Sequence, residues 1–220
     1  THELIHHVKH RKRGSAGSMV IKVDMHKTYD RITWNFLHQV LISTGFNPLW
    51  VCLIMNCVST VSYEVLLTGK PTPQFKPQGG LRQGDPLSPY LYVLCMNLLS
   101  HLLDRAMDRG DIQRIQISRD TPSISHLLFD DDAIFVSKAT PQHAQALMNT
   151  VNMYCQASGQ VISVAKSSMI YSPNIDIQTK THIHSIINIS ETPQLGIYLG
   201  TPTDFTSSKK IIFASMIESV

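Results

Sequence analysis

Three consecutive aspartates, Asp130, Asp131 and Asp132, separate two apolar segments of the 220-residue sequence. Residues 124–129 and 133–136 have the length and composition of buried strands, so we predict a β-hairpin whose turn carries the acids. Ionised carboxylates held this close repel one another, and a cation would stabilise them. Oxygen-only ligands favour Mg²⁺ or Mn²⁺. The alternative is an ordinary solvated turn, because aspartate is a common turn residue.

A fourth acid follows another apolar segment. Residues 19–23 predict a short strand, and Asp24 comes directly after it. Asp24 can meet the hairpin acids only if its strand is their neighbour in the sheet. Two-metal phosphoryl transfer uses such a cluster, in which carboxylates bridge ions roughly 3.5–4 Å apart. Taken alone, Asp24 would equally suit the N-cap of the helix that follows.

The third feature is a glycine-rich loop, residues 77–89, with the sequence PQGGLRQGDPLSP. Glycines let a backbone approach a ligand closely, and Arg82 and Gln83 carry groups that can contact a phosphate or a base. The loop is not a Walker loop, because no G-K-[S/T] follows. A tight loop leading into a helix would explain the same residues.

Hydrophobic spacing predicts the other elements. Helices are expected at residues 34–45, 50–58, 87–110 and 141–157, and the second of these is apolar nearly all round, which predicts burial. Strands are expected at residues 61–67, 112–117, 169–171 and 197–199, and His182 and His184 are assigned to a strand face. Strands and helices do not alternate regularly. We therefore expect an α+β fold with an antiparallel sheet backed by helices.

Composition narrows the class of protein. Hydrophobic residues make up 43% and charged residues 16% of the chain, which excludes a disordered tail. The net charge of +3 permits a nucleic-acid partner without requiring one. The four cysteines form no C-x-x-C pair, which argues against a zinc site or a disulfide framework. No targeting signal is recognisable, so we expect an intracellular protein of the nucleus or cytoplasm, without a membrane partner.

Taken in order, these motifs resemble the reverse transcriptase domain of LINE-type (non-LTR) retrotransposons, and plant members are the most similar. Residues 22–31 (KVDMHKTYDR) resemble the first catalytic motif of that family. Residues 80–89 (GLRQGDPLSP) match the motif that positions template and nucleotide almost word for word. Residues 158–160 with Lys166 and Ser167 resemble the next motif, and residues 198–202 resemble the primer grip.

The resemblance implies a polymerase palm with RNA-directed DNA polymerase activity. It implies two Mg²⁺ (or Mn²⁺) ions, and an RNA template, a DNA primer and deoxynucleoside triphosphates as partners. The implied catalytic and metal-binding residues are Asp24, Asp131 and Asp132. The implied nucleotide-binding residues are Tyr29, which checks the sugar, with Gln83, Gly84 and Lys166. The implied template and primer contacts are Arg82, Pro86, Tyr198, Leu199 and Gly200.

The sequence departs from the family at the hairpin. The family usually has Phe-Ala-Asp-Asp, and here Asp130 replaces the alanine, so the register from Phe129 assigns the metal-site pair to Asp131 and Asp132.

We expect part of the fingers at about residues 1–18, the palm core at about 19–172 and the primer grip at about 173–205. The thumb, the full fingers and an endonuclease are expected elsewhere in a longer retrotransposon polyprotein. Two alternatives are a catalytically inactive remnant that binds nucleic acid and a metal-dependent nuclease that uses the same acids.

Overall fold

A computed structural model describes residues 1–11, 17–118, 121–129, 131–199 and 201–203. The α-helices in these ranges are α1 His2–His10, α2 Thr28–Arg31, α3 Trp34–Ser43, α4 Pro48–Ser59, α5 Ser88–Asp108, α6 Pro141–Ser158 and α7 Ile177–Ile187. The strands are β1 Ser18–Asp24, β2 Leu66–Leu67, β3 Lys70–Pro71, β4 His126–Phe129, β5 Asp132–Lys138, β6 Ser168–Tyr171, β7 Ile197–Tyr198 and β8 Thr201–Pro202. A short 3₁₀ turn spans Val164–Lys166.

The main sheet has four strands in the order β4-β5-β1-β6, and every neighbouring pair is antiparallel. The predicted hairpin is β4 and β5, and the predicted strand before Asp24 is β1, which lies next to β5. The expected α+β fold with an antiparallel sheet and helices is therefore confirmed.

The chain divides into two compact units. Unit 1 comprises Thr1–Asp24, Leu103–Thr150 and the described residues from Ile162 onward, and it contains the four-stranded sheet. Unit 2 comprises Met25–Leu102 and Val151–Val161.

Strand β1 is the centre of unit 1. Side chains alternate between the faces of a strand, and Val20 on one face joins a core cluster with Ile134 of β5 and Ile170 of β6. On the other face Ile21 is also buried. Because both faces are covered, a slip of one residue would expose apolar side chains, so the register of β1 is strongly specified. This fixed register places Asp24 at the end of the strand.

Within unit 2, helix α3 packs against α4 and against Tyr154 of α6. Phe36 of α3 and Tyr92 of α5 are buried, and Phe36 meets the ring of Tyr154 edge-on at 5.8 Å between centroids. The helix α3 begins at Thr33, whose side-chain oxygen accepts a hydrogen bond from the N–H of Phe36. Such a cap satisfies one of the N–H groups that have no partner inside the helix.

Two expectations in unit 2 are wrong. Helix α4 forms as predicted but is not buried all round, because only Val51 and Ile54 are buried while Leu49 is 78% exposed. The strand expected at residues 61–67 shrinks to β2, which pairs with β3 across a tight turn. Hydrophobic content predicts that a segment can be buried, but it does not supply the partner that buries it.

Two expectations in unit 1 are also wrong. The strand expected at residues 112–117 is reduced to one bridge between Ile115 and Ile124. The segment that carries His182 and His184 is helix α7 and not a strand. This helix starts at Asp176, whose carboxylate accepts a hydrogen bond from the N–H of Thr179 at 2.9 Å.

No helix in the described part of the chain is long and apolar enough to cross a membrane.

Candidate active site

Two of the predicted acids face each other in unit 1. Asp24 ends β1 and Asp132 begins β5, and the two are direct partners in the antiparallel ladder. Residues opposite each other in such a ladder point to the same face, with Cβ atoms about 4.5–5.5 Å apart. Asp131 precedes Asp132 in the turn and is exposed. Asp130 lies outside the described residues.

The electrostatics of Asp24 show that the acids interact. Burial is the largest cause that raises the pKa of the Asp24 carboxyl group, and the negative charges of Asp131 and Asp132 raise it further. The ammonium groups of Lys166 and Lys22 act in the opposite direction. The net result is a raised pKa, so this carboxyl group is harder to ionise than usual, mainly because it is partly buried and to a smaller extent because like charges lie nearby.

Asp132 forms an ion pair that the sequence did not predict. The ammonium nitrogen of Lys22 lies 3.1 Å from an oxygen of Asp132, and these side chains are only 13% and 20% exposed. Lys22 is two positions before Asp24 on β1, so it lies on the same face of the strand. Its pairing with Asp132 is diagonal across the ladder, because its direct partner is Ile134.

The 3₁₀ turn that carries Lys166 is attached to the backbone of Asp24. The N–H of Ser163 donates to the carbonyl of Asp24 at 2.9 Å, and the N–H of Asp24 donates to the hydroxyl of Ser167 at 3.2 Å. The hydroxyl of Ser167 in turn donates to the carbonyl of Ser163 at 2.8 Å. These bonds fix the exposed Lys166 near the acids, which explains its effect on Asp24.

The residues expected to form the primer grip differ in exposure. Tyr198 is 7% exposed and belongs to the core cluster of unit 1, while Leu199 is 49% exposed. Burial raises the pKa of the Tyr198 hydroxyl, and the charge of Asp132 raises it further. Tyr198 therefore lies within electrostatic reach of Asp132. Gly200 lies outside the described residues.

Unit 2 contains the predicted sugar-checking residue, Tyr29, in the single turn of α2. The N–H of Leu81 donates to the carbonyl of Tyr29, and the N–H of Gly80 donates to the carbonyl of Ile32, both at 2.8 Å. The indole N–H of Trp34 donates to the carbonyl of Gly80, also at 2.8 Å. The glycine-rich loop is therefore attached to α2 and the residues that follow it.

Gly80 itself has no room for a side chain. Its φ is +87°, in the left-handed region, and a Cβ atom there would lie 2.8 Å from the carbonyl oxygen of Asp30. Both facts require glycine at this position.

A second segment, residues 158–161, is attached to the same turn. The amide nitrogen of the Gln160 side chain donates to the carbonyl of Thr28 at 2.7 Å, and the N–H of Thr33 donates to the carbonyl of Ser158 at 3.0 Å. A Cβ atom on Gly159 would lie 2.5 Å from the carbonyl oxygen of Arg31. Sequence reasoning assigned no role to Gln160, and its position in the Ser-Gly-Gln motif was the available signal.

A cavity of about 470 Å³ opens beside the glycine-rich loop in unit 2. Arg82, Gln83, Asp30 and Tyr63 are among the side chains that line it. Gly84, with φ of +82°, and the exposed Pro86 continue the loop towards α5. The cavity therefore presents one cation, one amide and two acids, Asp30 and Asp85, to a polar ligand.

Comparison with known proteins decides the family. The reverse transcriptase (RNA-dependent DNA polymerase) family matches residues 1–203 of the chain. The chain belongs to the reverse transcriptase family. The expected resemblance is thereby confirmed at the level of the family.

Two curated relatives and one solved structure are similar to this reverse transcriptase chain. An uncharacterised mitochondrial protein of Arabidopsis thaliana is 49% identical over 30% of the chain and 55% of its own length. The retrovirus-related Pol polyprotein from the type-1 retrotransposable element R2 of Popillia japonica is 22% identical over 78% of the chain and 27% of its own length. The chain thus spans about half or less of these relatives.

The similar structure is a telomerase from Candida tropicalis in complex with a fragment of telomeric RNA. It has a TM-score of 0.57 and 14% sequence identity, over 77% of the chain and 28% of the telomerase. At this identity the similarity concerns the fold, which agrees with the palm that the motifs predicted.

The acids of this reverse transcriptase domain have the chemistry of a divalent-cation site. Their donors are all carboxylate oxygens, which suit a hard ion such as Mg²⁺. The pKa of Asp24 is raised mainly by burial and further by the charges of Asp131 and Asp132, and a cation would offset both effects by favouring the ionised carboxylate. Within the described residues, no group of three or more His, Cys, Asp or Glu side chains is arranged to hold a metal. The acids that the described strands bring together are therefore the opposed pair Asp24 and Asp132.

Proposed function

We propose that this chain is the catalytic part of an RNA-directed DNA polymerase, which adds deoxynucleotides to the 3′-hydroxyl of a primer paired with an RNA template. The observation that carries the proposal is the placement of Asp24 opposite Asp132 at the ends of two buried strands. The family match supports the reaction class, and the relation to a Pol polyprotein supports a longer parent protein.

In this reaction the primer O3′ forms a bond to the α-phosphorus of the triphosphate. The bond from that phosphorus to the bridging oxygen of the β-phosphate breaks, pyrophosphate leaves, and the proton of the hydroxyl passes to solvent. Asp24, Asp131 and Asp132 are proposed to hold two Mg²⁺ or Mn²⁺ ions. When bound, such ions lower the pKa of the attacking hydroxyl and neutralise the charge that develops on the leaving group.

Lys166 is proposed to act on the leaving pyrophosphate. Its side chain is exposed. Its backbone belongs to the turn whose flanking residues, Ser163 and Ser167, form hydrogen bonds with the carbonyl and the N–H of Asp24. A positive charge held in this way neutralises the triphosphate, and the ammonium group can donate a proton to the departing oxygen. Because Lys166 also favours the ionised form of Asp24, it supports the charge state that binds cations.

Unit 2 is proposed to contact the nucleotide and the template. The ring of Tyr29 would exclude a ribose 2′-hydroxyl, and Gln83 and Gly84 would contact the incoming nucleotide. Arg82 and Pro86 are proposed to position the template backbone, because side chains of this kind more often fix register than read bases. The cavity lined by Arg82 and Gln83 supports these roles. Tyr198, Leu199 and Gly200 are proposed as the primer grip.

Primer extension by the 220-residue chain tests the proposal. The substrates are a DNA primer annealed to an RNA template and the four deoxynucleotides, with Mg²⁺ or Mn²⁺. We expect extension by the natural chain and its loss, by at least about 100-fold, in Asp24→Asn. Asp111→Asn is the matched control, because Asp111 lies in a half-exposed ion pair with Arg109 within unit 1, and it should retain activity.

Two results would contradict the polymerase proposal. A chain that binds the RNA–DNA hybrid but extends no primer would be an inactive remnant. A chain that cleaves nucleic acid without deoxynucleotides, and loses this cleavage in Asp24→Asn, would be a metal-dependent nuclease.

A further inference from the structure

We infer that Tyr92 sets the selectivity for deoxynucleotides, because its buried ring supports Tyr29 from behind and fixes the position at which Tyr29 meets the sugar. This inference rests on the proposed function, in which Tyr29 excludes a ribose. Tyr92 is a positioning residue in this account and does not touch the nucleotide.

The two rings are in contact. Their centroids are 5.1 Å apart and their planes are tilted by 30°. Tyr29 is half-buried, so part of its ring is available to a ligand, whereas Tyr92 is 1% exposed. Tyr92 thus forms the inner side of the pair and Tyr29 the outer side.

The turn that carries Tyr29 cannot hold its own position. Helix α2 has four residues, and an isolated helix of one turn is not stable in water. The hydrogen bonds from Leu81 and Gln160 hold its backbone at Tyr29 and Thr28. These hydrogen bonds act on the backbone, and the packing of the Tyr29 ring contributes to the position of its side chain.

Tyr92 supplies a rigid surface for this packing. It lies in the 21-residue helix α5, among buried neighbours that include Leu91, Cys95 and Met96. Protein interiors are close-packed, so a fully buried ring cannot recede when its neighbour is pushed. A ribose differs from a deoxyribose by one oxygen atom, and only an unyielding wall can reject so small a difference.

A purely structural role for Tyr92 predicts a different outcome from a role in selectivity. If Tyr92 only stabilises the core, its truncation slows the incorporation of both nucleotide types equally. If Tyr92 acts through Tyr29, truncation changes the ratio of deoxynucleotide to ribonucleotide incorporation. Tyr154 is the matched control, because it is also fully buried in unit 2 but packs against Phe36.

The experiment measures kcat/KM for a deoxynucleotide and for the matching ribonucleotide with the 220-residue chain. The selectivity ratio is kcat/KM for the deoxynucleotide divided by kcat/KM for the ribonucleotide. We expect Tyr29→Val to lower this ratio most, and Tyr92→Leu to lower it about three- to tenfold. Tyr92→Phe, which keeps the ring, and Tyr154→Leu should leave the ratio unchanged. In the double variant Tyr29→Val/Tyr92→Leu, the ratio should equal that of Tyr29→Val alone, because Tyr92 acts only through Tyr29.

The possible failures are distinguishable. If Tyr29→Val lowers the ratio and Tyr92→Leu does not, or if Tyr154→Leu lowers it equally, this inference is wrong and the proposed function stands. If Tyr29→Val leaves the ratio unchanged, the sugar-checking role of Tyr29 fails, and the inference fails with it. If the natural chain extends no primer, the proposed function and the inference both fail. Should Tyr92→Leu not fold, Tyr92→Met fills the same space with a flexible chain and serves in its place.

Discussion

The ammonium group of Lys22 and the carboxylate of Asp132 form a largely buried ion pair diagonally across strands β1 and β5. We predict that Lys22→Met lowers the free energy of unfolding by about 1–3 kcal/mol, because it leaves a partly buried carboxylate without this partner and beside two other acids. Urea denaturation in the presence of a chelator measures the effect. Adding Asp132→Asn to Lys22→Met should restore most of the loss.

Lys180→Met is the control for this prediction. Lys180 pairs with Glu191 at 2.6 Å, but their side chains are 28% and 46% exposed, and an exposed pair contributes less than about 1 kcal/mol. A Lys22→Met variant that loses no more stability than Lys180→Met would show that the buried pair is not important for the fold.

The raised pKa of Asp24 predicts a dependence of stability on pH. The pKa of Asp24 in the folded state lies above its ordinary value of 3.8, so the folded state holds this proton up to a higher pH than the unfolded chain does. Between the pKa of Asp24 in the unfolded chain and its raised pKa in the folded state, the folded state binds more protons. The contribution of Asp24 to stability therefore falls as the pH rises through this range. Asp24→Asn should therefore remove this slope and stabilise the chain at pH 7 in chelator. Asp111→Asn should leave both the slope and the stability at pH 7 unchanged. An Asp24→Asn chain that is less stable than the natural chain at pH 7 would contradict the raised pKa of Asp24.

The attachment of the glycine-rich loop can be tested at two glycines that share one backbone conformation. Gly80 and Gly84 have φ of +87° and +82°, but only at Gly80 would a Cβ atom meet the backbone of Asp30. Gly84→Ala should cost about 1–2 kcal/mol from the backbone conformation alone. Gly80→Ala should cost measurably more in the same urea titration. Equal losses in the two variants would mean that the close approach to Asp30 does not constrain the fold.

Much of the sheet could be predicted from the sequence. Strands β1, β4 and β5 are apolar segments that end at acids or turn residues, and helices α5 and α6 have strong apolar periodicity and a glycine after the last turn. These elements carry enough hydrophobic pattern to specify their own type.

Helix α7 was missed because its segment, IQTKTHIHSII, is rich in polar and β-branched residues. The useful signals were at its ends, where Asp176 caps the first turn and Asn188 adopts a left-handed conformation after the last. The buried positions Ile183 and Ile187 are four residues apart, which is also helical spacing.

The neighbouring placement of Asp24 and Asp132 could be expected from the sequence, whereas the residues that contact them could not. The positions of Asp24, Asp131 and Asp132 after or before apolar strands indicated that the acids could meet. The diagonal contact of Lys22 with Asp132 depends on the register of β1 against β5, which the sequence does not state. The contact of Tyr29 with Tyr92 depends on how α2 packs against α5, and no local pattern encodes such a contact.

Binding of Mn²⁺ to the 220-residue chain tests the central claim most directly, namely that acids on β1 and the β4–β5 hairpin form one divalent-cation site. Electron paramagnetic resonance of the free aqueous ion gives the bound fraction without requiring any catalysis. We predict that Asp24→Asn and Asp131→Asn each weaken binding at least about tenfold, while Asp111→Asn binds as the natural chain does. Equal binding of Mn²⁺ by the natural chain and Asp24→Asn would contradict the claim.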